Sequence, residues 1–227
     1  VNCLRFRSAL YLFALVALLQ ACKTGTSQPF AAEIEAFKQQ DRRTPPAPGS
    51  ILFVGSSSFR FWTHLQDSFP SVKVINRGFG GSTLADVIRY SDQVIFAYQP
   101  SQIIIYCGEN DIAMDTASAD VVLSRFLKLF DLIRTRLPDV PVSYVSIKPS
   151  PSRFQYLPVV KESNRLIAAF LKTRPNTSFI DVFPLMLGEN GYPRGELFGP
   201  DSLHMNERGY AIWKKAIEPH LKAAGKR

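Results

Sequence analysis

Cysteine is scarce in this chain: three in 227 residues, at positions 3, 22 and 107. So few, so far apart, cannot form the framework of a disulfide-stapled domain. Histidine is equally rare, at positions 64, 204 and 220, and no cysteine and histidine cluster with metal-ligand spacing occurs. Internal repeats and low-complexity tracts are missing too, which removes solenoid and disordered classes. Charge is not concentrated. The 27 basic and 19 acidic residues leave a net charge of +8, but the basic ones form neither a stripe nor a long run. A nucleic-acid binder clusters them, so no nucleic-acid partner is expected. The apolar run Leu10 to Leu19 is too short for a comfortable membrane span. What remains is 46% hydrophobic and 20% charged, in a chain of ordinary single-domain length that can bury a real core.

The beginning of the chain is different in kind. Arg5 and Arg7 precede the apolar run, and Leu19-Gln20-Ala21-Cys22 comes after it. A basic start, an apolar stretch and a small residue before the cut describe a signal peptide over residues 1–21. The last four residues resemble the lipobox of bacterial lipoproteins, in which the cysteine is acylated and becomes the mature N-terminus. That resemblance implies lipidation at Cys22 and a membrane partner through the lipid anchor. It also implies a bacterial envelope address, on the periplasmic side of the outer membrane. An ordinary secretory signal with a chance cysteine is the other reading. Cys3 would leave with the signal, so Cys107 would be the only unmodified thiol. Residues 22–49 then read as a tether, a short helix over 30–43 with Phe30, Ile34 and Phe37 on one face, and a linker rich in proline at 44–49.

From residue 50 to 227 the pattern alternates. Apolar runs at Ile51 to Val54, Val72 to Ile75, Ile103 to Tyr106, Val142 to Ile147 and Phe179 to Val182 read as strands. Between them, Phe59 to Phe69, Leu84 to Tyr98, Val121 to Leu137 and Leu157 to Lys172 read as helices, and residues 206–222 as a last one. Val122, Phe126, Leu129, Phe130, Ile133 and Leu137 share one helix face, as do Tyr210, Trp213, Ile217 and Leu221. Short apolar strands alternating with helices predict an α/β fold. Right-handed crossovers make it a three-layer α/β/α sandwich around a five-stranded parallel sheet. In such sheets function gathers at the carboxyl ends of the strands.

The loops leaving those carboxyl ends are therefore informative. The first strand leads into Gly55-Ser56-Ser57-Ser58, the second into Asn76-Arg77-Gly78-Phe79-Gly80-Gly81-Ser82, and the third into Gly108-Glu109-Asn110-Asp111. Beyond the fifth comes Asp201-Ser202-Leu203-His204. A serine, a glycine-rich loop, an asparagine and an Asp-x-x-His on one sheet edge make an acyl-transfer constellation. Ser57 leaves a strand and opens a helix, the place for a nucleophile, although the serine cluster also suits a helix cap. His204 is the candidate base. His64 lies in the first expected helix and His220 near the end of the last, and both read as bystanders. Cys107 ends a strand and reads as core rather than nucleophile. Glu109 and Asp111 are neighbours on a loop, splay apart and read as structural.

These four blocks, in this order, resemble the SGNH hydrolase superfamily, which includes the GDSL lipases. The resemblance covers residues 50 to about 222. It implies a sheet of flavodoxin-like order. It also implies Asp201 as the residue orienting His204, and an oxyanion hole made of the Ser57 N–H, the Gly81 N–H and the Asn110 side chain. Asp201 has a plain alternative as a turn residue. Ser56 stands where the family has aspartate. The expected activity is cofactor-free and metal-free hydrolysis of small acyl esters, including O-acetylated envelope or dietary polysaccharide. Lysophospholipase, thioesterase and acyltransferase chemistry are the alternatives, as is a non-catalytic binding protein on the same fold.

Overall fold

The structure, a computed structural model, describes residues 28–222. Residues 1–21, expected to be a signal peptide, and Cys22 lie outside them. Five strands form one parallel sheet: β1 Ile51–Gly55, β2 Val74–Gly78, β3 Gln102–Tyr106, β4 Val142–Val145 and β5 Thr177–Ile180. Their order is β2-β1-β3-β4-β5, the flavodoxin-like order expected. The order reverses beside β1, so β1 and β3 lie side by side with crossovers leading away in opposite directions. This opens a crevice at their carboxyl ends.

Alternate residues of each strand feed different faces of the sheet. Leu52, Val54, Ile103 and Ile105 face one core, closed by Phe126, Leu129 and Ile133 of α6 (Ala119–Arg136) and Ile167 of α7 (Leu157–Lys172). Leu84 and Val87 of α4 (Leu84–Arg89) join them. Ile51, Phe53, Ile104 and Tyr106 face the other, under Trp213 and Ile217 of α8 (Glu207–Ile217). Trp213 is fully buried, edge-on to Tyr106 at 4.7 Å and to Phe59 at 6.0 Å. Burying large side chains of this kind contributes about 1.5–3 kcal/mol apiece, so these two layers dominate the fold's stability.

Three expected helices are shorter. The segment 59–69 is two helices, α2 (Ser57–Arg60) and α3 (Leu65–Ser68). Phe59, Trp62, Leu65 and Phe69 are all buried, and the Trp62 Nε1 donates to Ser68 Oγ at 3.0 Å. Spacings of three and four suit one amphipathic helix, which is why the sequence reads so; the break falls at 61–64, where Trp62 packs against Phe53 and Phe69. The segment 84–98 is α4 and then a π-helical turn at Asp92–Phe96. The last helix ends at Ile217 and tightens into a 3-10 turn at Glu218–His220, where Pro219 cannot continue the hydrogen-bond ladder.

Helix α1 (Ala31–Arg43) precedes the sheet and packs against it. Ile34 enters the core at 3% exposure, and Phe30 and Phe37 lie against the same cluster. Asp41 pairs with the buried guanidinium of Arg77 and accepts the Tyr98 hydroxyl at 2.6 Å. The proline-rich segment 44–49 thus joins two parts of one packed body.

Candidate active site

The first strand ends in a turn that only glycine can make. Gly55 has φ +142°, and a Cβ there would run into the Tyr106 carbonyl. The chain therefore passes close to β3, where the Ser56 N–H donates to Tyr106 O at 3.0 Å. The Ser56 carbonyl then accepts the Phe59 and Arg60 N–H groups at 3.1 and 3.2 Å and starts α2. Ser56 and Ser58 are buried; Ser57, between them, reaches the surface.

His204 is brought to Ser57 by a turn at the opposite end of the sequence. Gly199 N–H donates to His204 O at 2.8 Å, and Ser202 N–H to Gly199 O at 2.9 Å. Ser202 sits at φ +54°, a left-handed conformation that a side chain tolerates only under tertiary constraint. Asn206 ties this turn to α8: its Oδ1 accepts from Arg208 N and Gly209 N, and its Nδ2 donates to the Phe198 carbonyl at 3.0 Å. Within the turn, Asp201 Oδ1 accepts the Leu203 and His204 N–H groups at 3.0 and 2.9 Å. Its Oδ2 lies 2.5 Å from His204 Nδ1. Partial burial opposes the charge on Asp201. The two backbone N–H groups and the imidazole outweigh it and bring the carboxyl down to about 2. A permanent acceptor at Nδ1 places the ring proton there and leaves the Nε2 lone pair free. His204 Nε2 is 3.0 Å from Ser57 Oγ. The Phe61 ring stands edge-on to the imidazole at 4.6 Å.

A set of hydrogen-bond donors lies on the same edge. Gly81 has φ +80°, open to glycine, in the loop after β2. Ser82 links this loop to its neighbours. Its Oγ lies within bonding distance of Gly55 O (3.2 Å) and Phe79 O (3.0 Å), and its carbonyl accepts Asn110 Nδ2 at 3.0 Å. Asn110 is in α5 (Glu109–Ala113), and its Oδ1 accepts from Arg153 Nη1 at 3.0 Å. Arginine only donates and a carbonyl only accepts, so these two partners fix which way the amide faces. One Nδ2 hydrogen remains unspent. Among the described residues, the backbone N–H groups of Ser57 and Gly81 donate to no protein acceptor. A hydroxyl bonded to an oriented imidazole, beside three uncommitted donors, is equipped to attack a carbonyl and to hold the oxyanion that forms.

The remaining acidic residues support this edge. Glu109 is buried and accepts the Tyr106 hydroxyl at 2.7 Å, Lys148 Nζ at 2.8 Å and Ser150 Oγ at 2.5 Å, with Arg153 Nη1 at 3.6 Å. Burial opposes its charge, but Lys148 and Arg153 hold its carboxyl below the usual carboxylate range. Asp111 accepts the Leu84 N–H at 3.0 Å and the Arg125 guanidinium at 2.7 Å. Cys107 is buried, and burial pushes its thiol well up, which leaves it unreactive. His64 is exposed beside Asp67, and the His220 carbonyl accepts from Gln102. Among the described residues, the histidine bonded to Ser57 is His204.

The sequence profile of the GDSL-like lipase/acylhydrolase family matches residues 49–212. The chain belongs to that family. It is therefore, at the level of the family, a hydrolase acting on esters. None of the curated proteins compared with it matches. Solved structures share the GDSL-like fold. A protein from Streptococcus pneumonia superposes with a TM-score of 0.73 at 20% identity, over 84% of this chain and 92% of that one. A GDSL-like lipase from Bacteroides thetaiotaomicron gives 0.68 at 18% identity, over 83% and 97%. A carbohydrate esterase family 3 protein from Talaromyces cellulolyticus gives 0.60 at 15%, over 75% and 94%. At these identities the likeness is one of fold.

Two residues of this GDSL-like site escape a reading of the sequence alone. Arg153 and Lys148 come after β4, the one strand whose outgoing loop carries no recognised block. Yet Ile147-Lys148-Pro149-Ser150-Pro151-Ser152-Arg153 emerges on the functional edge like the other loops. A basic residue at that edge is the signal that could have found them.

Proposed function

We propose that this protein is a cofactor-free serine esterase in which Ser57, His204 and Asp201 act as nucleophile, base and orienting carboxylate. The carrying observation is the 3.0 Å contact of Ser57 Oγ with His204 Nε2, continued at 2.5 Å to Asp201. As the Ser57 oxygen adds to the ester carbonyl carbon, its proton passes to Nε2 and the carbonyl oxygen takes the negative charge. The Ser57 N–H, the Gly81 N–H and the Asn110 amide hold that oxyanion. When it collapses, the carbon–oxygen bond to the alcohol breaks and His204 returns the proton to the leaving oxygen. Water then attacks the acyl-serine by the same route, and acid and free enzyme are released. Asp201 stays ionised throughout and stabilises the imidazolium that forms in each half.

The substrate class we infer is small acyl esters, with O-acetylated polysaccharide of the envelope or diet the leading member. The fold shared with a carbohydrate esterase supports this reading. So does the N-terminal sequence, with residues 1–21 as a removable signal and Cys22 as a lipidated anchor. That anchor would hold the enzyme at the bacterial envelope, on the periplasmic side of the outer membrane.

Rates on a series of acyl esters from two to sixteen carbons test activity and acyl size together. The proposal expects the highest kcat/KM at the shortest chains and a loss of about 10³-fold or more in Ser57→Ala. Retention of activity in Ser57→Ala, with loss in Ser58→Ala, would place the nucleophile elsewhere. A maximum at long chains would replace the substrate class and leave the nucleophile standing.

A further inference from the structure

The oxyanion loop is held from one side by a part of the chain that precedes the family domain. The family profile begins at residue 49, and α1 ends at Arg43. Nevertheless α1 stands directly against Gly80 and Gly81. The Gly80 N–H donates to Glu33 Oε1 at 3.3 Å. The same oxygen pairs with Arg60 Nη1 at 3.1 Å, and the Arg60 guanidinium lies against Gly80. Phe30, at the start of α1, packs edge-on to Phe79 at 5.3 Å, and its Cε1 would be 3.9 Å from a Cβ built on Gly81. Phe30 is itself fastened: its neighbour Pro29 accepts the Tyr90 hydroxyl at 2.6 Å. The contacts continue towards the base. Arg60 lies over the Phe61 ring at 5.5 Å, and that ring meets the His204 imidazole.

We infer that α1 is a working part of the active site, with Glu33 as the positioning residue for the oxyanion loop. The inference rests on the reading of the Gly81 N–H as an oxyanion donor. Ser82 holds the loop from below through the Gly55 and Phe79 carbonyls, and glycines at 80 and 81 leave the backbone between free to rotate. The Glu33 carboxylate reduces that freedom by fixing the Phe79–Gly80 peptide through the Gly80 N–H, which leaves only the φ and ψ of Gly80 between this anchored plane and the next peptide, the one that carries the Gly81 N–H. Arg60 keeps the carboxylate in place. A donor that is fixed before reaction works in the transition state and contributes little to substrate binding, so the loss of Glu33 should appear in kcat.

The experiment uses the mature protein, p-nitrophenyl acetate as probe, and four variants. Glu33→Ala is expected to lower kcat about 5- to 20-fold with KM within about twofold. Glu33→Gln keeps a carbonyl oxygen that can accept the Gly80 N–H, and should recover to within about threefold of wild type. Glu35→Ala, on the same helix but paired only with Lys38 and Arg42, should leave kcat unchanged. Its melting temperature provides the comparison for the loss of an exposed ion pair, and Glu33→Ala should match it within a few degrees. A wild-type kcat in Glu33→Ala would overturn the inference. So would a Gln variant as slow as Ala, because the Arg60 charge rather than the Gly80 bond would then matter. Ser57→Ala runs alongside. If it alone is inactive while Glu33→Ala is normal, the site reading stands and this inference falls. If Ser57→Ala is active, both fall.

Discussion

Asn110→Ala removes one oxyanion donor whose share the geometry defines. The amide has two hydrogens, and one is already on the Ser82 carbonyl at 3.0 Å. Only the other is free for substrate, and Arg153 on Oδ1 keeps it from turning away. One preorganised donor is worth about 3–4 kcal/mol of transition-state stabilisation, a fall of about 10²–10³ in kcat. The ground-state carbonyl carries little charge, so KM should stay within about threefold. Loss of the Ser82 bond costs the fold about 1 kcal/mol, far too little to unfold the domain. Arg153 keeps the Glu109 carboxylate as a neighbour. Steady-state rates on p-nitrophenyl acetate, with a thermal melt to confirm folding, make the measurement. A raised KM at wild-type kcat would refute the reasoning, because Asn110 would then act in binding. A fall below about tenfold would refute it as well, since one donor cannot be worth so little here.

Lys148→Met leaves Glu109 charged and buried without its nearest cation; denaturant unfolding at neutral pH should show a loss of about 3–5 kcal/mol. The carboxyl of Glu109 is held low by Lys148 and Arg153 against burial, so the pair's contribution is present above the ordinary carboxylate range and lost as pH falls through the depressed folded value. Acid unfolding of wild type should therefore begin at lower pH than that of Lys148→Met, and coincident curves would count against the assignment. Asp201, held at about 2, stays ionised wherever enzyme activity is measured. The acid limb of kcat/KM should then have a slope no greater than one, because Asp201 takes up no proton of its own there; a slope of two would contradict it. Asp201→Asn presents the wrong proton to Nδ1 and should cost about 10²–10⁴ in kcat, read in the same assay. Mass analysis of the N-terminal peptide should find it starting at an acylated Cys22; an unmodified N-terminus at or beyond that residue would mean a secreted, unanchored enzyme.

The parallel sheet was legible because its strands are short, apolar and separated by amphipathic helices of clear period, and α6 and α7 fall where that period puts them. Ser57 and His204 stand out because they lie in blocks beyond strands in chain order, which the sheet topology places on one edge; Gly81, Asn110 and Asp201 were singled out within those blocks by the resemblance to the family. Less legible was whatever depends on packing between distant segments. The break between α2 and α3 comes from Trp62 turning inward against Phe53 and Phe69, which no local propensity encodes. Arg153 was invisible because its value lies in one hydrogen bond across 43 positions of sequence to Asn110. Glu33 looks like any exposed helix acid until the fold sets Gly80 in front of it, 47 positions away.

The central claim is that Ser57 is the nucleophile, and covalent capture tests it most directly. A fluorophosphonate reagent mimics the tetrahedral intermediate and stays on the serine that attacks it. Peptide mapping of the labelled protein should place a single adduct on Ser57, and prior denaturation should abolish labelling because His204 no longer stands 3.0 Å from the hydroxyl. An adduct on Ser56, Ser58 or Ser82 instead, or labelling that survives denaturation, would contradict the account.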